Sequence, residues 1–222
     1  MNDDNWYLLS PPNLPILKCE LGKEAVEHIW KCIDTAKKQK FNSNLAGNIS
    51  ESFLIDDIDS KFWNEHLSVP CERYLDENRS MIISARNPFS GHHKSKMRLD
   101  TFWVNYQKET EFNPIHNHNG VLSFVAWMKI PTEWTEQYEL PISANSNTPS
   151  ASDFMLAYTN ILGSIVAQPI EMGKANENAM LVFPSTMQHQ VYPFYNCSED
   201  RISVSGNIFL CLLYTSPSPR DS

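Results

Sequence analysis

The chain has 222 residues, a formal net charge of −8, 41% hydrophobic residues and 20% charged residues. These values are ordinary for a globular domain with one sizeable core, and the acidic balance argues against binding to nucleic-acid backbones, which requires clustered Lys and Arg. No apolar stretch approaches the ~20 residues of a membrane-spanning helix. The cysteines are scattered without a CxxC pair, which predicts free thiols in a reducing cytoplasm.

The first third of the chain predicts two amphipathic helices. In GKEAVEHIWKCIDTAKKQK (22–40), apolar residues recur at i, i+3, i+4 and i+7 from Val26 to Ile33, which is the pattern of one helix face. His28 falls outside this stripe, so we expect it on the surface. DSKFWNEHLSVPCERYLDEN (59–78) predicts a second helix, which Pro70 should kink or divide.

From residue 98 onward the chain changes to strand-like runs, rich in β-branched and aromatic residues and separated by turn-rich pieces. Helices followed only by strands predict an α+β or mainly β fold with helical cover over a sheet. The six runs are DTFWVNYQ (100–107), VLSFVAWMKI (121–130), DFMLAYT (153–159), SIVAQPI (164–170), NAMLVFP (178–184) and RISVSGNIF (201–209).

The end of the chain has a different character. CLLYTSPSPRDS (211–222) follows a strand-like run abruptly and has no apolar periodicity. It resembles a sequencing adapter translated in frame, and we leave it out of the interpretation of the fold; a natural Ser/Pro-rich tail is the alternative. Residues 1–210 are predicted to form one domain, helical over 1–97 and a β-fold over 98–210.

NPIHNHNG (113–120) places His116 and His118 at alternate positions. If the segment is extended, both imidazoles point to one side. A distant histidine, His189 in FPSTMQHQVYPF, follows a predicted strand and can supply a third corner. Such a pair with a distant histidine makes a three-point metal site; the usual combination is two histidines and one carboxylate, which leaves open positions for O2 and a co-substrate on Fe(II). For His116 taken alone, a hydrogen-bonded structural role is the alternative.

Five stretches together resemble the 2-oxoglutarate/Fe(II)-dependent oxygenases, and most closely their prolyl-hydroxylase-like members in tailed phages. The resemblance implies a double-stranded β-helix, the jelly-roll or cupin-like form, with N-terminal covering helices. It also implies Fe(II) as the metal, 2-oxoglutarate as co-substrate and O2 as oxidant. The five stretches are LAGNIS (45–50), FWVNYQK (102–108), FNPIHNHNGVLSFVAWMKIP (112–131), LVFPSTMQHQVYPFY (181–195) and RISVSGNI (201–208).

By this resemblance, Arg201 corresponds to the arginine that binds the distal carboxylate of 2-oxoglutarate. A guanidinium suits that role because it grips a carboxylate with two parallel hydrogen bonds. Ser203, on the same strand face, would add a hydroxyl donor. Asn105 and Tyr106 lie where relatives place a polar residue against 2-oxoglutarate, and because they alternate only one can face inward. A surface ion pair with Glu199 or Asp200 is the alternative for Arg201.

The metal ligands implied by the resemblance include one departure from the family. His116 and His189 match the two iron-binding histidines, but His118 stands where the family has Asp or Glu. Three neutral imidazoles leave Fe(II) with a larger positive charge than two imidazoles and a carboxylate. Either His118 completes a three-histidine site, or it does not bind and water fills the position.

The implied reaction is 2-oxoglutarate-dependent hydroxylation of an unidentified substrate. A protein side chain such as proline is one expectation and a small molecule another, in the cytoplasm of an infected bacterial host. One alternative is a three-histidine iron oxygenase of the cupin kind that does not use 2-oxoglutarate, with Arg201 as a substrate clamp or structural residue. The other is a non-catalytic jelly-roll module of a virion.

Overall fold

The computed structural model describes residues 13–36, 39–84 and 95–212, and among these the side chains of residues 13–36, 39–78 and 96–210. The predicted adapter-derived tail lies outside the described residues except for Cys211 and Leu212, which end the last strand. No helix within the described residues is long and apolar enough to cross a membrane.

Ten strands and three α-helices form the described part of the chain. The strands are β1 (Leu17–Glu20), β2 (Glu51–Leu54), β3 (Ser95–Gln107), β4 (Asn113–His116), β5 (Leu122–Lys129), β6 (Phe154–Thr159), β7 (Ile165–Ile170), β8 (Ala179–Pro184), β9 (Gln188–Val191) and β10 (Arg201–Leu212). The helices are α1 (Lys23–Asp34), α2 (Ser68–Ser84), which continues directly from a π-helical stretch (Phe62–Leu67), and α3 (Trp134–Glu139).

The strands form two antiparallel sheets. The larger sheet has the order β1-β8-β5-β10-β3-β2, and the smaller has the order β4-β9-β6-β7. Strands β3 to β10 are divided equally between the two sheets. β3, β5, β8 and β10 belong to the larger sheet and face β4, β6, β7 and β9 of the smaller sheet. Eight antiparallel strands in two facing four-stranded sets constitute a jelly roll, and the predicted double-stranded β-helix is therefore confirmed.

The predicted helices cover the outer face of the larger sheet. Phe62, at the start of the π-helical stretch, is fully buried and stacks on Phe102 of β3 at a ring-centroid distance of 5.6 Å. The same ring contacts Phe124 of β5, also at 5.6 Å. A second apolar cluster fills the space between the sheets, where Trp127 meets Phe154 edge to face at 5.5 Å. Trp127, Phe154 and Phe183 of this second cluster also line a cavity that contains most of the predicted site residues.

The six predicted strands are all present, whereas the region predicted as helical is more mixed. It contains the short edge strands β1 and β2, and β3 begins at Ser95. Four-residue strands are too short to show an apolar period, and β1 and β2 acquire their pairing only from neighbours distant in the chain. Pro70 does not divide the helix; it lies three residues after the end of the π-helical stretch, where the backbone hydrogen bonding changes to that of α2.

The expectation for His28 was wrong. This residue is buried on α1, with only 8% of its surface exposed. Its Nε2 lies 3.0 Å from Asp57 Oδ1 and 3.4 Å from Cys32 Sγ. The helix buries a wider face than the apolar stripe predicts, because Asp57 supplies a polar partner within the covering layer.

Candidate metal centre and adjoining cavity

The fold brings the three predicted histidines together between the sheets. His116 ends β4 and is paired directly with His189 of β9, while the His118 backbone N–H donates to the Ser185 carbonyl at 2.8 Å just beyond β4. The ring centroids lie 4.2 Å apart for His116 and His189, 5.0 Å for His116 and His118, and 4.9 Å for His118 and His189. One nitrogen from each ring lies within 4.8 Å of the other two.

Hydrogen bonds fix the tautomers of two of these rings. His116 Nδ1 lies 2.7 Å from the Pro114 carbonyl, and His189 Nδ1 lies 3.0 Å from the Met187 carbonyl. A carbonyl oxygen only accepts, so both Nδ1 atoms carry the proton and both Nε2 atoms hold a free lone pair. Orientation of a ligand imidazole by a carbonyl on its other nitrogen is the usual arrangement at metal sites.

Burial keeps all three imidazoles neutral at physiological pH. Burial, with a smaller contribution from the neighbouring His116, lowers the pKa of His118 to about 4 and that of His189 to about 3. The pKa of His116 is lowered by burial and raised in part by its bond to Pro114. A metal ligand must be deprotonated, so the three residues are ready to bind a divalent cation without releasing protons.

These donors fit a non-haem iron site. Imidazole nitrogen suits iron, and three ligands from one side leave open positions for other molecules. Asn113 Nδ2 lies 3.3 Å from His116 Nε2, so in the metal-free chain it donates to the lone pair that a metal would take. The sequence left two alternatives for His118, and this geometry favours the one in which it completes a three-histidine site.

Arg201 begins β10 and lies at the other end of the same cavity, with 2% of its surface exposed. It does not pair with Glu199, which contacts Lys129 at 2.7 Å. Burial lowers the pKa of Arg201 to about 10 and nearby Asp153 opposes that shift, so the guanidinium is charged at neutral pH. The side chain lies 5.3 Å from the centroid of the Phe194 ring.

All five N–H donors of Arg201 have acceptors in the chain. Nε and Nη2 both donate to Gln107 Oε1, at 3.0 Å and 2.8 Å, and Nη2 also donates to the Tyr192 carbonyl at 2.9 Å. Nη1 donates to the carbonyl and, at 3.3 Å, to the hydroxyl of Ser152. Gln107 Oε1 therefore occupies the edge of the fork that a carboxylate oxygen would use.

The remaining predicted residues lie between the histidines and Arg201, with one exception. Asn105 of β3 and Ser203 of β10 are register partners and both line the cavity. Asn105 Oδ1 accepts a hydrogen bond from the Ser52 hydroxyl at 2.7 Å. Tyr106 is on the opposite face of β3, where it packs edge to face on Phe53 at 6.2 Å, because neighbouring residues of a strand point to opposite sides.

Two buried polar atoms of cavity-lining residues have no hydrogen-bond partner among the described residues. They are the indole N–H of Trp103, whose ring is 5.7 Å from His118, and Oδ1 of Asn113. Buried polar groups nearly always have a partner, which is often water or a ligand. A donor and an acceptor beside the histidines therefore indicate that this cavity receives a polar molecule.

The charge of the cavity favours an anion. Its described lining includes the Arg201 guanidinium and three neutral imidazoles but no carboxylate. Asp153 lies behind Arg201 and is fully buried, with Oδ2 accepting a 2.5 Å hydrogen bond from the Tyr138 hydroxyl. Burial raises the pKa of Asp153 to about 6. A divalent cation at the histidines would increase the positive potential further.

Comparison with known families identifies this arrangement. Residues 101–207 match the family model of the 2OG-Fe(II) oxygenases, and the matched segment contains the three histidines, Arg201 and Ser203. These residues belong to the 2OG-Fe(II) oxygenase family. The match confirms the prediction of an iron- and 2-oxoglutarate-dependent oxygenase, with Fe(II) as its metal and 2-oxoglutarate and O2 as its co-substrates. No curated protein matches the chain.

Several solved structures are similar to this oxygenase. A viral collagen prolyl hydroxylase from Paramecium Bursaria Chlorella virus-1, in complex with 2OG, is 12% identical, with 87% of this chain and 94% of that chain covered and a TM-score of 0.43. A Pseudomonas putida prolyl-4-hydroxylase is 14% identical, with 86% and 90% covered and a TM-score of 0.45. A 2OG-Fe(II) oxygenase family protein from Burkholderia pseudomallei is 8% identical, with 87% and 84% covered and a TM-score of 0.49.

Sequence reasoning missed three residues of this oxygenase cavity. Gln107 is the one whose position could have been inferred, because it lies two residues after Asn105 and hence on the same strand face. Trp103 precedes Asn105 by the same spacing, but an aromatic residue on a strand usually indicates core. Asn113 gives no signal in the sequence, since its role depends on the pairing of β4 with β9.

Proposed function

We propose that His116, His118 and His189 hold the Fe(II) of this oxygenase and that Arg201, Ser203 and Asn105 hold 2-oxoglutarate. The observation that carries the proposal is one cavity with three neutral, converging imidazoles at one end and a buried guanidinium at the other. Such a cavity is complementary to a divalent cation bound next to a dianion. When bound, the iron with 2-oxoglutarate and O2 supplies oxidative attack on a C–H bond.

The chain itself contributes orientation and charge to this chemistry. The Pro114 and Met187 carbonyls hold His116 and His189 with their Nε2 lone pairs directed away from those bonds. Phe154 stacks on the His189 ring at 5.6 Å and limits its rotation. The unpartnered Trp103 indole N–H offers a donor to an anionic oxygen near His118. Burial of these groups excludes bulk water and strengthens each electrostatic contact.

Gln107 makes co-substrate binding an exchange reaction. Because every Arg201 N–H already has an acceptor, the distal carboxylate of 2-oxoglutarate competes with Gln107 Oε1 for the guanidinium. The exchange is favourable for an anion, since a charged acceptor binds a guanidinium more strongly than a neutral amide does. A neutral ligand has no such advantage, so Gln107 favours acids over neutral molecules of similar size.

For the substrate, we propose an apolar side chain of a protein, with proline as the first candidate. An open groove of about 480 Å³ adjoins the cavity and shares Asn113 and Val191 with it. Its wall presents Phe112 and Ile142, which are 43% and 66% exposed. Large exposed apolar side chains around one groove favour an apolar partner. A small apolar molecule is the second candidate for the same groove.

We also propose that the protein works in a reducing cytoplasm, that of an infected bacterial cell. Cys19, Cys32, Cys71 and Cys197 are all free thiols, which supports a reducing compartment. The host context rests on the resemblance to tailed-phage members of the family.

An anaerobic titration tests the site assignment. The chain is loaded with Fe(II), titrated with 2-oxoglutarate and monitored for the visible charge-transfer band of an iron-chelated keto acid. We expect a saturable band, its loss in His189→Ala because iron no longer binds, and a much weaker 2-oxoglutarate affinity in Arg201→Lys because the fork is replaced by a point charge. Gln188→Ala, an exposed neighbour of His189 on β9, serves as the matched control.

The outcomes separate the two halves of the proposal. Iron binding without the band would refute the assignment of Arg201, Ser203 and Asn105 and leave a three-histidine iron site. Unchanged iron binding in His189→Ala would refute the ligand set. For the substrate, proline-containing peptides should increase succinate formation over the peptide-free rate, whereas stimulation by small apolar molecules alone would overturn the peptide proposal.

A further inference from the structure

A second cluster of metal-binding side chains lies within the covering helices. His28 and Cys32 are one turn apart on α1, and Asp57 belongs to the loop that follows β2. Residues four apart on a helix share a face, and the loop brings the carboxylate against that face. His28 and Cys32 are 8% and 1% exposed, and the Asp57 side chain is 10% exposed. One donor atom from each residue lies within 4.8 Å of the other two.

This cluster is separate from the oxygenase cavity. Cys32 packs in the apolar cluster that contains Phe102 and Val104 of β3. The cavity is lined by Trp103 and Asn105 of the same strand. Successive residues of a strand point to opposite faces of the sheet, so the larger sheet stands between the two groups of ligands.

The contacts of His28 are unusual for an ordinary hydrogen-bonded histidine. Asp57 Oδ1 at 3.0 Å and Cys32 Sγ at 3.4 Å both approach the same ring nitrogen, Nε2. That nitrogen either carries a proton and donates to Asp57, or has a lone pair and accepts from the Cys32 thiol. In the first case Cys32 Sγ is only a weak second acceptor for the same N–H, and in the second case Nε2 and the Asp57 carboxylate are two acceptors in contact. A cation shared by the three atoms satisfies all of them at once.

The same geometry argues against a nucleophile in this position. In a Cys–His–Asp relay the thiol and the carboxylate use different ring nitrogens, so that a proton can pass through the imidazole. Here both partners face Nε2, and no such path exists. The cluster therefore has the convergence of a binding site and lacks the linear order of a catalytic relay.

We propose that His28, Cys32 and Asp57 bind a Zn²⁺ ion that ties α1 to the helical layer. Thiolate, imidazole and carboxylate are the ligands that zinc takes in proteins, with four-coordinate geometry completed by a fourth donor such as water. Asp57 also accepts hydrogen bonds from the backbone N–H groups of Phe62 at 2.9 Å and Trp63 at 2.8 Å. These bonds orient the carboxylate and connect the ion to the start of the π-helical stretch.

Cobalt(II) substitution tests this proposal on the intact chain. Co²⁺ bound by a thiolate gives a near-ultraviolet charge-transfer band, and a three-histidine site contributes none because it contains no sulfur. Titration of the wild-type chain with Co²⁺ should produce this band, with saturation by two equivalents because the three histidines can take the other ion, and Zn²⁺ should abolish it. Cys32→Ser should lose the band and bind zinc at least tenfold more weakly. Cys71→Ser, at a fully buried cysteine of the same apolar cluster, should keep both.

Two controls keep the result interpretable. Circular dichroism establishes that Cys32→Ser is folded; if it is not, His28→Gln is measured in the same way and should weaken zinc binding by a similar factor. Because the three histidines can also bind Zn²⁺, melting temperatures are compared in the His189→Ala background, where Zn²⁺ should raise that of the single variant but not that of the Cys32→Ser/His189→Ala double variant. Absence of the band in the wild-type chain, or a band that persists in Cys32→Ser, would overturn the proposal. Neither outcome bears on the proposal that the three histidines bind iron.

Discussion

Replacement of Gln107 by methionine tests how 2-oxoglutarate reaches Arg201. The substitution keeps the length of the side chain but removes Oε1, which accepts from Nε at 3.0 Å and from Nη2 at 2.8 Å. It also removes the amide N–H that donates to the Glu111 carbonyl at 2.6 Å. In the wild-type chain, co-substrate binding leaves Gln107 Oε1 without its charged donor. In the variant, co-substrate binding instead satisfies two guanidinium donors that had no acceptor.

The size of the effect follows from these contacts. A hydrogen bond to a charged group contributes about 1.5–3 kcal/mol, and a buried donor left without a partner costs a similar amount. If the exchange costs the wild-type chain the equivalent of one such bond, Gln107→Met should bind 2-oxoglutarate about 10- to 100-fold more tightly. The metal-loaded variant without co-substrate should also be less stable, by about 1.5–3 kcal/mol in its free energy of unfolding.

The assay is the anaerobic keto-acid titration, combined with urea unfolding of the same samples. Gln168→Met is the matched control, because Gln168 of β7 accepts one hydrogen bond from the Tyr158 hydroxyl at 3.1 Å and does not line the Arg201 cavity. We expect the control to leave the Kd for 2-oxoglutarate unchanged. A folded Gln107→Met variant with an unchanged or larger Kd would refute competition between Gln107 and the co-substrate.

Three further perturbations probe the ligand set, a buried carboxyl group and the packing behind β4. His118→Asp should tighten Fe(II) binding by about tenfold or more, because a carboxylate adds a Coulomb attraction on the order of 1–4 kcal/mol; an unchanged Fe(II) Kd would mean that His118 is not a ligand. The Asp153 pKa is raised from 3.8 to about 6, so its favourable contribution to stability is complete below pH 3.8 and is lost as the pH rises through 6. Asp153→Asn should therefore raise the free energy of unfolding by up to roughly 3 kcal/mol at pH 7–8 but not at pH 4, and a gain that is the same at both pH values in chemical denaturation would contradict this. A Cβ added at Gly47 would meet the Phe112 carbonyl and lie 2.5 Å from the Cα of the next residue, so Gly47→Ala should cost about 1–3 kcal/mol of stability and weaken iron binding through β4. Gly22→Ala, with nothing within 4 Å of the added atom, should change neither, and equal effects of the two alanines would refute the packing argument.

The sequence by itself determined six of the ten described strands and the family to which the site belongs. Runs such as VLSFVAWMKI and NAMLVFP became β5 and β8, because long β-branched and aromatic runs that are buried on both faces have few other stable conformations. The five stretches that resemble the oxygenases, among them those with His116, His118, His189 and Arg201, sufficed together to indicate the family. They sufficed because the chemistry requires these side chains at fixed places along particular strands.

Only the tertiary structure decided which side chains complete the sites. Asn113 and His116 are three residues apart and would face opposite sides of a regular strand, but an irregularity between them in the pairing of β4 with β9 brings both side chains to the cavity. Whether Asn105 or Tyr106 faces the cavity depends on the register of β3 with β10, since a shift of one residue would exchange the two. His28 was misplaced for the same physical reason, because the polar partner that permits its burial, Asp57, is separated from it by 29 residues.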